Sequence, residues 1–152
     1  MVKLKTRHFG EIEADETRFI HFTEGIPAFE EEQEFMLIPF VTDSESDDNP
    51  YVIMQSTKTP GLAFVVANPY RFFSDYEFSL EDDVLKGLGL DDPENLSVYV
   101  ILAIPNGVVR DMTANLIAPI VIAENTLKAQ QVILTNTQYS TKHRIFPAKV
   151  EG

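Results

Sequence analysis

Short apolar runs, mostly β-branched or aromatic, recur along the chain and stop at turn residues. They predict strands over residues 3–9, 18–22, 35–40, 51–56, 62–67, 98–104, 115–122 and 131–134. The runs Val52-Ile-Met54 and Val100-Ile-Leu-Ala-Ile104 carry no polar alternation, as expected of strands buried on both faces. Turn chemistry separates the runs at Lys58-Thr-Pro-Gly61, Asp91-Asp-Pro93 and Pro105-Asn-Gly107. Strands at this spacing, with little helix between them, predict a mainly β fold: a small antiparallel barrel or sandwich with one or two short helices.

Two segments break the strand pattern. Ser79-Leu-Glu-Asp-Asp-Val-Leu-Lys-Gly87 has a candidate cap, acids in its first turn and a glycine near its end. Leu80, Val84 and Leu88 share a helical face, so a short helix covering one end of the barrel is expected. A second helical turn is expected over residues 29–33. Asp43-Ser-Glu-Ser-Asp-Asp-Asn-Pro50 reads as an acidic loop, more simply a solvated connection than a specific contact. Neither an internal repeat nor a linker is visible, and residues 1–152 read as one domain.

Charge sharpens the picture. The chain of 152 residues has a net charge of −12 and no cysteine. Residues 1–94 hold 21 acids and 7 bases, while residues 95–152 hold 3 acids and 5 bases. Such a field repels phosphate backbones and attracts basic proteins, although an acidic surface also serves solubility alone. With no cysteine, disulfides, thiolate metal sites and cysteine nucleophiles are excluded. No long apolar stretch and no leader pattern is evident, so a cytoplasmic protein without membrane contact is expected.

The residues that carry chemistry form no motif. His8, His21 and His143 are far apart and in no metal-ligand spacing; no Gly-x-Ser-x-Gly elbow or phosphate loop occurs. Neither catalytic residues, a metal nor a cofactor is therefore expected. A carboxylate hydrolase stays open as a minor alternative, since two close acids in a cleft would suffice, one with a raised pKa. A second alternative is an acidic chaperone or anti-regulator for some other basic protein.

What stands out instead are apolar groups beside acids. Glu24-Gly-Ile-Pro-Ala-Phe-Glu30 sets Ile26, Pro27 and Phe29 between Glu24 and Glu30. Asn68-Pro-Tyr-Arg-Phe-Phe-Ser-Asp-Tyr76 crowds Tyr70, Phe72, Phe73 and Tyr76 around Asp75. Aromatics rimmed by polar groups suit a protein–protein contact, and equally suit core that closes the barrel.

At these residues the chain resembles the bacterial flagellar assembly factor family, FliW. The most specific block is Phe22-Thr-Glu-Gly-Ile-Pro-Ala-Phe-Glu30, with Ala28 where the family has glycine. A second runs from Gln55-Ser56 through Pro60-Gly-Leu-Ala-Phe-Val-Val-Ala-Asn-Pro69 to Phe72-Phe-Ser-Asp-Tyr76, with Ser74 where proline is common. A third is Thr113-Ala-Asn-Leu-Ile-Ala-Pro-Ile-Val-Ile122, which contains Asn115, followed by Ala129-Gln-Gln-Val-Ile-Leu134, Tyr139 and Lys142-His143.

The resemblance implies a two-partner regulator. Such proteins antagonise the dimeric RNA-binding repressor CsrA away from its RNA groove, and they also bind cytoplasmic flagellin, which releases CsrA to repress flagellin mRNA. It implies no enzyme activity, no direct nucleic-acid contact and a monomer when alone. Glu24, Ile26, Pro27, Phe29, Glu30, Tyr70, Phe72, Phe73, Asp75, Tyr76 and Asn115 are the partner-binding candidates. An acidic surface would speed encounter with a basic regulator by roughly 10-fold to 10³-fold at low salt. The apolar motifs would suit the amphipathic termini of flagellin.

Overall fold

A computed structural model describes residues 1–23, 26, 29–39, 51–89, 96–135 and 137–145. The acidic loop at 43–50, Phe40 and the Asp91–Pro93 turn lie outside the described residues, as do Glu24 and Pro27.

The strands are β1 (Val2–Thr6), β2 (Gly10–Ala14), β3 (Ile20–Phe22), β4 (Glu34–Pro39), β5 (Tyr51–Ser56), β6 (Ala63–Ala67), β7 (Leu96–Ala103), β8 (Thr113–Ala114), β9 (Ile120–Ala123), β10 (Lys128–Gln131) and β11 (His143–Arg144). A single short α-helix, α1, spans Asp82–Gly87 among the described residues. β7, β6, β5, β4, β3, β10 and β9 pair in that order, and β9 pairs back onto β7, so seven strands close a barrel. The mainly β fold read from the sequence is therefore a barrel. It is not wholly antiparallel, because β3 and β10 pair in parallel through His21 with Lys128 and Phe22 with Ala129.

Side-chain alternation sorts residues between the two faces of the wall. Ile20, Phe22, Phe35, Met54, Val66, Ile120 and Ile122 fill the interior with Ile26 and Ala129. The outward side chains are covered as well. Leu4, Ala14 and Phe19 of the β1–β2 hairpin region pack with Met36, whose neighbours on β4 point inward. Val100, Leu102 and Ala67 lie under Tyr76, Phe72 and Phe73. Val121, Ala123, Leu96 and Val98 lie under Leu80, Val84 and Leu88. This double cover explains the apolar runs without alternation in β5 and β7.

Several expectations change. The 79–87 helix begins at Asp82, Ser79 does not cap it, and Glu81 stands at the N-cap without a side-chain bond. It covers the outer wall over β7 and β9, not an end of the barrel. Residues 29–33 form no helix: Glu32 N donates to Phe29 O at 2.9 Å and the chain then enters β4. Of the 115–122 run only the end is strand, in β9 (Ile120–Ala123), while β8 (Thr113–Ala114) lies just before it. The Asn115 carboxamide accepts from Ala118 N at 3.2 Å and Pro119 cannot donate, so the chain leaves the ladder with β7 between them. The 131–134 strand is displaced to Lys128–Gln131. The 3–9 strand ends at Thr6, and β2 is an additional strand.

Candidate functional site

Asn68 opens the aromatic segment: its side chain accepts from Tyr70 N at 2.9 Å, and Pro69 presets the following turn. The turn carries the chain onto the outer wall of β6 and β7. Tyr76 is 3% exposed, and its hydroxyl donates to Leu116 O at 2.7 Å. Rings gather around it, with Tyr139 at 4.7 Å, Phe78 at 5.5 Å and Tyr70 at 5.9 Å between centroids. Burial first, and then the neighbouring Tyr70 and Tyr139, push the Tyr76 phenol well above its ordinary range. Burial, with Tyr139 second, also raises Tyr70.

Phe73 meets His143 edge-on at 5.0 Å and Phe72 at 6.5 Å. His143 belongs to β11, which is held beside β8 by pairing with Ala114. Phe73, Asp75, Tyr139 and His143 border a shallow groove of about 490 Å³ floored by Leu116. Tyr139 fixes one side of it, its hydroxyl accepting from Glu77 N at 3.0 Å.

The second motif sits at a barrel mouth. Ile26 is 2% exposed and belongs to the interior cluster, whereas Phe29 is 42% exposed. Phe29 bridges back to Ile26 and stacks edge-on against Phe64 of β6 at 5.8 Å. The following acids differ in role. Glu30 is exposed, but Glu32 accepts from Ser56 Oγ at 2.6 Å and from the Thr59 hydroxyl. Those two hydroxyls hold the Glu32 carboxyl below its ordinary value. Ser56 Oγ in turn accepts from Thr59 N at 2.9 Å and Lys58 N at 3.1 Å, so one carboxylate ties the 30–33 turn to the β5–β6 turn.

The candidates therefore divide. Tyr70, Phe72, Phe73, Asp75 and Tyr76 come together on the outer wall, with Tyr76 as core, Phe72 and Phe73 half-buried, and Tyr70 and Asp75 exposed. Ile26, Phe29 and Glu30 stand at the mouth, where Ile26 is core. Asn115 is half-buried and orders the 115–118 turn beside Leu116. The two motifs belong to clusters on opposite faces of the wall and do not merge into one patch. Tyr139 and His143 were missing from the candidate set. Their signal was the resemblance in the tail, since nothing local joins them to Phe73, some seventy residues earlier.

Acid chemistry of the kind a hydrolase needs finds no support in these groups. Among the described carboxylates with displaced titration, Asp15, Glu16 and Glu32 are all lowered by hydrogen bonds, opposite to a proton donor held at neutral pH. The histidines stay apart: His21 lies 3.5 Å from Glu34, His8 beside Phe9 and His143 against Phe73. No helix among the described residues is long and apolar enough to cross a membrane.

Fold and site define a small closed β-barrel faced with aromatic rings on its outer wall, with an exposed phenylalanine at one mouth. The family model for FliW protein matches residues 3–145, and the chain belongs to that family. It is 44% identical over 149 residues to the flagellar assembly factor FliW of Geobacillus sp. (strain WCH70), covering 98% of this chain and 99% of that one. The Bacillus velezensis (strain DSM 23117 / BGSC 10A6 / LMG 26770 / FZB42) protein of the same name is 39% identical over 142 residues, covering 93% and 95%. A crystal structure of the flagellar assembly factor FliW superposes with a TM-score of 0.87 at 42% identity, covering 98% of this chain and all of that one.

Proposed function

We propose that this flagellar assembly factor is a non-enzymatic partner switch of the cytoplasm. It binds the translational repressor CsrA away from its RNA groove, which relieves repression of flagellin mRNA. It also binds cytoplasmic flagellin, and flagellin-bound protein leaves CsrA free to repress. The protein is a monomer when alone and needs no cofactor. The observation that carries this reading is the family match over nearly the whole chain.

Physical features of the chain support it. The net charge of −12 favours a basic, RNA-binding partner and disfavours RNA itself. Negative charge held near the partner's RNA surface also weakens its grip on phosphates without occupying the groove. Phe29 and Tyr70, each 42% exposed, offer aromatic anchors of the kind an amphipathic flagellin segment requires.

Size-exclusion chromatography of the protein with CsrA, followed by addition of flagellin, tests the switch. Co-elution with CsrA that flagellin abolishes is expected. Elution of all three proteins as one stable complex refutes simple exchange, and failure to co-elute with either refutes the reading.

A further inference from the structure

Among the described residues, the barrel wall leaves a backbone edge uncovered after β10. Beyond β10 the chain stays extended and keeps bonding on one side, with Val132 N to Pro119 O at 2.9 Å and Leu134 N to Ile117 O at 2.8 Å. In an extended pair, the residues between those donors turn their own N–H and C=O to the other side. On that side the neighbour is β3, whose pairing with β10 covers only Lys128 and Ala129, with a last bond from Thr23 N to Ala129 O. The outward backbone groups of Ile133 and Thr135 find no hydrogen-bond partner among the described residues.

The edge lacks the features that keep sheet edges from pairing. Ala129-Gln-Gln-Val-Ile-Leu-Thr135 contains no charge and no proline, and Ile133 is 56% exposed. Natural edges are ordinarily blunted by lysine, proline, a bulge or a covering element. Here residues 130–135 border an open groove of about 650 Å³, with Glu77, Phe78, Glu81 and Val84 on its other wall. That groove offers apolar contact from Phe78, Val84 and Val132, negative charge from Glu77 and Glu81, and hydrogen-bonding groups along the edge.

We infer that the Gln131–Thr135 edge is a strand-addition site for an extended segment of the basic regulator, alternating basic with apolar residues. The inference deepens the proposed function and rests on its reading that CsrA is a partner. Main-chain bonds to Ile133 and Thr135 hold the segment, its apolar side chains pack over Val132 and Phe78, and its basic ones meet Glu77 and Glu81. A second copy of this chain is the wrong occupant, because edge-to-edge pairing brings one acidic wall against another. The site shares no lining residue with the Phe73–His143 groove, which it adjoins where Glu77 N donates to the Tyr139 hydroxyl.

Ile133→Pro tests the site, since it removes the outward N–H without touching the bonds that Val132 and Leu134 make to the barrel. Thr135→Pro is the companion variant, and circular dichroism with thermal melting checks that both fold. Titration calorimetry with CsrA should show at least about 10-fold weaker binding for a folded proline variant, and for Glu77→Lys/Glu81→Lys. Hydrogen exchange on the wild-type complex should slow at the Ile133 and Thr135 amides, a readout that requires no variant. Wild-type affinity in a folded proline variant, or unchanged exchange at those amides, overturns the inference while leaving the CsrA reading intact. Absence of CsrA binding by the wild-type protein overturns both. Loss of flagellin binding alone, or of a self-association seen by sedimentation, assigns the edge to another occupant and overturns it too.

Discussion

The hydroxyl of Tyr76 donates to the carbonyl of Leu116 at 2.7 Å, joining the aromatic segment to the turn that separates β8 from β9. Both side chains are buried, so the bond has no water to replace it. Tyr76→Phe keeps the ring and orphans the carbonyl, which should cost about 1–2 kcal/mol in urea unfolding. Tyr76→Ala also opens a cavity and should cost about 3–5 kcal/mol.

The same residue sets an alkaline limit. Its phenol is raised in the folded protein, while in the unfolded chain it ionises near the ordinary value of 10.0. The corresponding stability is complete below that pH and falls as pH rises above it, because only the unfolded state readily loses the proton. Unfolding free energy followed from pH 9 to about pH 11 should fall less steeply in Tyr76→Phe than in the wild type.

A buried amide ties the N-terminal hairpin to the barrel. Gln55 is fully buried; its Oε1 accepts from Arg7 N at 2.9 Å, and its Nε2 faces the carbonyls of Ser56, Pro60 and Leu62 at 3.0, 3.1 and 3.2 Å. Gln55→Met preserves the length of the side chain and abandons those partners. A loss of about 2–3 kcal/mol is expected, with faster hydrogen exchange at the Arg7 amide. A stability change below about 0.5 kcal/mol would show that water replaces the amide.

The Glu32 carboxylate couples folding to acid. Its lowered value means that its stabilisation is complete above the ordinary 4.5 and is lost as pH falls through the folded value. The acid-unfolding profile of Glu32→Gln should therefore be shallower than the wild type's in that range. Ser56→Ala removes a buried hydroxyl that also accepts from Lys58 N and Thr59 N, and should cost about 1–2 kcal/mol at neutral pH.

Much of this barrel was legible because its strands are covered on both faces: apolar runs such as Tyr51–Ser56 and Ala63–Ala67 announce themselves. β2 was not, because Gly10-Glu-Ile-Glu-Ala14 shows only one large apolar residue, Ile12, between two acids. The break at Asn115–Pro119 was hidden by its apolar composition, although Asn115 and Pro119 each weaken a ladder locally. The site was legible in composition and not in role. Ile26 and Phe29 look alike in sequence, and only barrel closure buries one and exposes the other. The meeting of Phe73 with His143 depends on β11 joining β8, a long-range pairing that no local pattern encodes.

That division of the apolar motifs gives the sharpest test of the partner surfaces. Phe29 and Tyr70 are each 42% exposed, Phe29 meeting Phe64 edge-on and Tyr70 meeting Tyr76 at a tilt, so Phe29→Ala and Tyr70→Ala should each cost less than about 1 kcal/mol in stability. As anchors for a partner, the same substitutions should each weaken binding by at least about 2 kcal/mol, measured by calorimetry with flagellin. Tyr76→Ala should show the reverse, a large loss of stability with unchanged affinity per folded molecule. If Phe29→Ala and Tyr70→Ala both bind flagellin like the wild type, the exposed rings are not its anchors. The half-buried Phe73 beside His143 is then the next ring to substitute, because it borders the one aromatic groove that β11 completes.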